Sequence, residues 1–169
     1  MAPNGQKTPG QHGGAVQGFF QNDHIEIDVI FTALRRDIKV CAEARKPGNS
    51  GIVSQFEEFD RRLENHIHWE EELLFPAVEG VSSDLRDGPG EEMRHEHQNI
   101  RQLKDAARTE LKRAMEVPQA LSRAAEALDQ MRDILEAHNQ KEEQVYYPLA
   151  DEILPPAQAS DLLKRVRAS

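Results

Sequence analysis

The chain has 169 residues, a mass of 19.2 kDa and a formal net charge of −9. This length predicts a single domain with a sizeable core, and the acidic surface argues against nucleic acid or anionic membranes as partners. The lone cysteine, Cys41, excludes an internal disulfide framework. No apolar run approaches the roughly 18–20 residues of a membrane span, and the N-terminus lacks an apolar signal-peptide core. We therefore expect a soluble, cytoplasmic protein.

The first stretch of the chain, residues 1–17, is rich in Gly, Pro and Gln and shows no periodicity, which predicts a disordered tail. His12 lies within this tail and is excluded as a ligand. The first helix is predicted to begin within residues 18–23 and to end near Arg45. Its apolar residues recur at alternating steps of three and four, and His24 lies on the same stripe.

Three further helices and a short closing segment are predicted beyond the first helix. They are a second helix at about Ile52–Val78, a third from Glu91 to about Val117, a fourth at about Gln119–Leu154, and a short C-terminal helix within residues 155–169, capped at Ser160. Short loops containing Gly and Pro place consecutive helices antiparallel. We therefore expect an all-α fold in which residues 18–154 form an up-down-up-down four-helix bundle and the last helix packs on the bundle end.

The strongest pattern in the sequence is a motif that occurs twice, 72 residues apart. The second helix carries His66 and Glu70, and the fourth carries His138 and Glu142. In each copy a second Glu follows at once, and an aromatic residue and a proline close the segment. The His and the Glu lie on the apolar face of their helix, where an unpaired polar group costs about 1–3 kcal/mol. These side chains therefore need partners.

Two explanations are open for one such pair. The His and Glu could satisfy each other as ordinary core residues, or they could bind a metal ion together with side chains of other helices. Repetition of the motif in register favours the metal. On the third helix His97 also faces inward, whereas His95 is predicted to lie on an outer, solvated face.

Four imidazoles and two carboxylates converging in a bundle core provide six donors. The candidate metal ligands are His24, His66, Glu70, His97, His138 and Glu142. One tetrahedral zinc ion needs four ligands, whereas two ions that share the two carboxylates use all six donors. This mixed nitrogen and oxygen set suits iron, manganese or zinc. Glu71 and Glu143 are predicted either to orient a ligand His or to be solvated, and Tyr146 is a candidate hydrogen-bond donor to the site.

These motifs, together with the Met-Arg-x-Glu-His segment that ends at His97, resemble the hemerythrin-like, or HHE cation-binding, domain family over roughly residues 18–154. The resemblance implies a four-helix bundle around a non-haem di-iron centre with the six residues above as its ligands. It also implies that Glu70 and Glu142 bridge the two irons.

This chain departs from the oxygen-carrying hemerythrins at one position. Those proteins have an additional His one turn before the position of His97, where this chain has Met93. His68 or His95 could supply a fifth imidazole only by leaving the predicted outward face. The resemblance therefore implies four His, two Glu and one more open position on one iron.

The sequence leaves the function open between classes. One is a di-iron protein that binds O2, NO or peroxide as a carrier, buffer or sensor. The other is a di-iron enzyme that turns over peroxide, O2 or NO. Iron storage is a third possibility, which a core of His and Glu without an acidic entry channel supports poorly.

Overall fold

The computed structural model describes residues 14–169, which form a bundle of α-helices without a β-strand in that range. The helices are α1 (Ala15–Glu43), α2 (Ser50–Trp69), α3 (Phe75–Val81), α4 (Glu91–Ala114), α5 (Ala120–Lys141), α6 (Tyr147–Ile153) and α7 (Pro156–Ala168). Helix α2 continues into α3, and α5 into α6, through π-helical turns at Glu70–Leu74 and Glu142–Tyr146. The predicted all-α helical bundle is confirmed. Within residues 14–169, no helix is long and apolar enough to cross a membrane.

Helix α1 begins at Ala15, inside the stretch that was predicted to be a tail. The carboxylate of Asp151, on α6, accepts the backbone N–H groups of Val16 and Gln17 at 3.0 and 2.9 Å. The first N–H groups of a helix have no acceptor within the helix, so this distant carboxylate caps α1 and fixes its start. The rest of the predicted tail, including His12, lies outside the described residues.

Two apolar clusters fill the interior, one on each side of the inward histidines. On α1, for example, Phe20 belongs to one cluster and Ile27 to the other, with His24 between them. The second cluster, at the end of the bundle that holds Phe20, also contains Leu162 and Val166 of α7. Helix α7 therefore covers this end of the bundle. It begins at Pro156, so Ser160 lies inside the helix and not at its cap.

The π-helical turns change which residues face inward beyond each motif. In these turns the N–H of Phe75 bonds to the carbonyl of Glu70, and the N–H of Tyr147 bonds to that of Glu142, five residues back rather than four. The extra residue advances the inward position by one. Val145 lies three residues after Glu142, where regular α-helical spacing would place it inside, but it is 59% exposed. Phe75 and Tyr147 are fully buried instead.

The motif prolines follow these turns without ending the helical path. Pro76 and Pro148 lie in the first turn of α3 and α6. Proline lacks an N–H and normally kinks a regular helix. In the structure the departure from regular α-helix is the π-helical turn, which precedes the proline and begins at the motif Glu.

Candidate metal centre

Each of the four long helical segments contributes one imidazole to a common level of the bundle. Nε2 of His24 (α1) lies 2.9 Å from Nε2 of His66 (α2), and Nε2 of His97 (α4) lies 2.9 Å from Nε2 of His138 (α5). All four side chains are buried. We call the His24 and His66 pair the first half of the centre, and the His97 and His138 pair the second half.

Two fully buried carboxylates connect the halves. Oε1 of Glu70 lies 3.3 Å from Nε2 of His66, and Oε2 of the same carboxylate lies 3.3 Å from Nε2 of His97. Oε2 of Glu142 lies 3.4 Å from Nε2 of His24, and its Oε1 lies 3.1 Å from Nε2 of His138. Each carboxylate therefore directs one oxygen to each half. All six predicted side chains are brought together.

An outer carboxylate lies against the Nδ1 of every imidazole. The pairs are His24 with Glu143 at 2.8 Å, His66 with Asp23 at 2.8 Å, His97 with Glu71 at 3.0 Å, and His138 with Glu96 at 2.9 Å. An Nδ1–H that donates to a carboxylate leaves the lone pair of Nε2 directed into the centre. The protein thus fixes the orientation of its four imidazoles.

Half of these outer carboxylates could be anticipated. Glu71 and Glu143 orient histidines of other helices, which was one of the two roles considered for them. Asp23 and Glu96 were missed. Each directly precedes an inward His in the sequence and so projects about 100° away from it, toward the neighbouring helix. An acidic residue immediately before an inward His was the signal that could have identified them.

The acidic surroundings favour positive charge at the centre. Burial alone would lower the pKa of His66 and His138, but Glu70, Glu142 and the hydrogen bonds to the outer carboxylates outweigh burial and raise both pKa values to about 10. Burial would likewise raise the pKa of Glu70, yet the adjacent imidazoles hold it well below its ordinary value.

Two of the outer carboxylates, Glu71 and Glu96, are held ionised by their partners. Burial opposes ionisation of Glu71, but hydrogen bonds from His97 and Arg101 lower its pKa to about 2. The hydrogen bond from His138 is the main reason that the pKa of Glu96 also falls to about 2. Glu71 and Glu96 therefore keep their negative charge across the physiological range of pH.

The arrangement of donors fits two cations. His24, His66, Glu70 and Glu142 form one set, Glu70, His97, His138 and Glu142 form the other, and the ligand atoms in each set lie within 4.8 Å of one another. The two Nε2 atoms of each pair lie 2.9 Å apart, which is close enough for both to be ligands of one ion. Among residues 14–169, Oε2 of Glu70 and Oε1 of Glu142 are buried without a hydrogen-bond partner. A metal ion in each half would satisfy these atoms.

A comparison with protein families gives an independent result. The model described as the Hemerythrin HHE cation binding domain matches residues 18–150, which is most of the chain. The chain belongs to the hemerythrin HHE family. Comparisons with curated proteins and with solved structures gave no match. Cation binding by this hemerythrin-like domain is therefore supported by its family and by its clusters of His and Glu.

The phenol that enters the hemerythrin-like centre is that of Tyr147, which sequence reasoning missed. Its hydroxyl lies 2.5 Å from Oε1 of Glu70 and 3.0 Å from Oε2 of Glu142. Burial and the two carboxylates raise the pKa of Tyr147 well above its ordinary value, so the hydroxyl donates to those carboxylates. The hydroxyl of Tyr146, the residue expected to reach the site, has no hydrogen-bond partner within residues 14–169. The π-helical turn is the physical reason for this correction.

The other candidate ligands of the hemerythrin-like domain stay away from the centre. His68 and His95 are exposed, so neither provides a fifth imidazole. Met93 is buried on the inward face of α4, as predicted, and packs in the apolar cluster at the α7 end of the bundle. The centre thus has four imidazoles.

A cavity of about 550 Å³ extends from the surface to the centre between α1 and α5. All four imidazoles line its inner part, and the exposed residues Asp28, Thr32, Arg132 and Glu136 line its outer part. Apolar side chains such as Leu135 lie between these two parts. A small molecule can therefore approach the centre from this side of the bundle.

Proposed function

We propose that this hemerythrin-like chain is a cytoplasmic non-haem di-iron protein that binds O2, NO or peroxide, as a carrier, buffer or sensor. The observation that carries the proposal is the placement of Glu70 and Glu142, each of which offers one oxygen to each pair of imidazoles. A carboxylate placed in this way would bridge two ions, because its two oxygens can bind different metals. The two irons would supply the chemistry of reversible small-ligand binding.

The ligand roles follow from this placement. His24 and His66 would hold the first iron, His97 and His138 the second, and the two carboxylates would bridge both. Mixed nitrogen and oxygen donors suit iron in both of its common oxidation states better than they suit hard ions such as Mg²⁺. The outer carboxylates orient the imidazoles and increase their basicity, which strengthens the binding of a cation.

The cavity between α1 and α5 supports a small exogenous ligand. It reaches the imidazoles from the surface, and apolar side chains such as Phe31 and Leu135 line it together with polar ones such as Asn139 and Glu143. The apolar side chains let O2 and NO pass and reduce the contact of the centre with bulk water.

The hydroxyl of Tyr147 favours a second function, the turnover of peroxide, O2 or NO by an enzyme. This hydroxyl is a buried proton donor among the candidate ligands, 3.1 Å from Nε2 of His24. Reduction of an oxygen–oxygen bond consumes protons, and a positioned phenol can deliver one in the reaction.

Metal analysis tests the di-iron proposal directly. Protein produced with ample iron should contain about two irons per chain, because six donors and two bridging carboxylates exceed what one ion needs. His66→Ala should lose iron and stability, since it removes a donor and leaves Glu70 unpaired in the core at a cost of about 1–3 kcal/mol. His95→Ala, on the exposed face of α4, is the matched control and should change neither. A reproducible value of one ion, with zinc preferred, would refute the proposal.

Optical spectroscopy separates the binder from the enzyme. The iron-loaded protein is reduced without oxygen, and O2 is then added. An oxygenated spectrum that disappears on removal of O2 supports reversible binding. Prompt, irreversible oxidation supports turnover.

A further inference from the structure

The two halves of the candidate centre are related by the internal repeat. Five residues of the centre and its outer carboxylates correspond to residues 72 or 73 positions later in the chain. The corresponding pairs are His24 and His97, His66 and His138, Glu70 and Glu142, Asp23 and Glu96, and Glu71 and Glu143. Every pair preserves its chemistry and its hydrogen-bond role. The donor set described above is therefore close to symmetric.

One pair breaks this symmetry inside the centre. Position 147 has a tyrosine, and its counterpart 72 residues earlier is Phe75. Both follow a motif Glu by five residues, across the π-helical turn, and both are fully buried. The ring of Phe75 stacks on His97 with centroids 5.9 Å apart, whereas Tyr147 presents its hydroxyl to the first half. Only the first half contains a phenolic oxygen.

The position of this oxygen matches that of an additional ligand. It lies 2.5 Å from Glu70 Oε1, 3.0 Å from Glu142 Oε2, 3.1 Å from His24 Nε2 and 3.5 Å from His66 Nε2. These four atoms belong to the first donor set, which consists of the two imidazoles of the first half and the two shared carboxylates. Neighbouring ligands bound to one ion at about 2.1 Å lie about 3 Å apart, so the phenol has the spacing of a fifth donor around the same ion.

We propose, on the basis of the di-iron function above, that Tyr147 is a ligand of the ferric ion in the first half and makes the two metal positions unequal. On binding, the phenol O–H bond is replaced by an oxygen–iron bond, the proton passes to water, and no electron is transferred. The first half then has five protein donors and the second has four. The exogenous ligand accordingly binds in the second half, where Phe75 offers no donor.

Resonance Raman spectroscopy of the ferric protein tests this inference. A phenolate bound to ferric iron gives a visible charge-transfer band, and excitation in that band enhances the vibrations of the tyrosine ring. We expect these vibrations in the wild-type protein and their loss in Tyr147→Phe. Tyr146→Phe is the matched control, because it removes the hydroxyl of a neighbouring buried tyrosine that does not contact the centre, and it should retain them.

The outcomes distinguish this inference from the di-iron proposal. Wild-type protein that fails to bind two irons refutes the di-iron function itself. Wild-type protein with two irons but no tyrosine vibrations, or Tyr147→Phe protein that keeps them, overturns the role of Tyr147. If Tyr147→Phe does not fold, ring-deuterated tyrosine in the wild-type protein decides the question, since the enhanced vibrations must shift if they belong to tyrosine.

Discussion

Single residues around the four imidazoles determine how the candidate centre is organised. Each Nδ1 donates to a carboxylate from a different helix than the one that carries the imidazole. A ligand oriented in this way loses little freedom when it binds a cation, and it is more basic. The outer carboxylates therefore contribute to metal affinity as well as to the packing of helices against each other.

Neutralising one outer carboxylate should weaken metal binding without removing a ligand. We expect Glu96→Gln and Asp23→Asn each to lower the affinity for the metal by about 10- to 100-fold, because His138 and His66 lose their charged partners. Competition with a chromophoric chelator measures the affinity. Glu92→Gln is the control, since Glu92 is exposed and contacts Lys141 rather than an imidazole. Equal affinity in Glu96→Gln and Glu92→Gln would contradict this role.

Secondary-structure elements position the centre through two local devices. The π-helical turns begin at Glu70 and Glu142, the two carboxylates that connect the halves. Single π-helical turns inside α-helices are often found at functional sites. The second device is the cap that Asp151 provides to α1, since it fixes the helix that carries His24 against the helical segment that carries Tyr147.

Removing this cap should destabilise the protein. We expect Asp151→Ala to lower the free energy of unfolding by about 1 kcal/mol, the usual effect of losing a helix N-cap. Glu152→Ala is the control, because this neighbouring acidic residue is exposed. Urea unfolding of the metal-free proteins gives the comparison.

A second variant tests the same contact from the other side. A Cβ added at Gly14 would lie 2.0 Å from Cγ of Asp151, so Gly14→Ala should displace this carboxylate and cause a similar loss. If Asp151→Ala and Gly14→Ala were both as stable as Glu152→Ala, the cap would contribute nothing to the free energy of unfolding.

At the scale of the whole molecule, the bundle leaves one side of the centre accessible. The four imidazoles lie at the inner part of the cavity between α1 and α5, while the cluster that contains Phe20, Phe75 and α7 residues closes the α7 end of the bundle. Ligands should therefore enter between α1 and α5.

Narrowing this cavity should slow ligand entry. Leu135 lies on α5 one turn before His138 and lines the cavity, so Leu135→Trp should reduce severalfold the rate constant for azide binding to the ferric protein. Ala137→Trp places the same indole on the exposed face of α5 and should leave the rate unchanged. Stopped-flow absorbance at equal iron loading measures both rates. An unchanged rate in Leu135→Trp, with two irons bound, would place the entry route elsewhere.

Helical spacing in the sequence was enough to predict the all-α bundle and to select the six candidate donors that the structure brings together. Helical spacing identifies the buried face of each segment, and polar residues on such a face are informative because they need partners. His66 and Glu70, repeated as His138 and Glu142, therefore indicated a shared site before any coordinates were known. The same spacing kept His68 and His95 outside it.

The residues that surround those donors depend on how the helices pack, so they could be identified only from the tertiary structure. Regular helical spacing favoured Tyr146 as the tyrosine near the site. A π-helical turn cannot be recognised from a spacing of three and four residues, so Tyr147 was identified only from its contacts. Asp23 and Glu96 orient imidazoles of other helices, and such contacts depend on how helices pack. The cap of α1 by Asp151 joins residues that are 135 positions apart. Local patterns record which face of a helix is buried, whereas these contacts arise only when the helices meet.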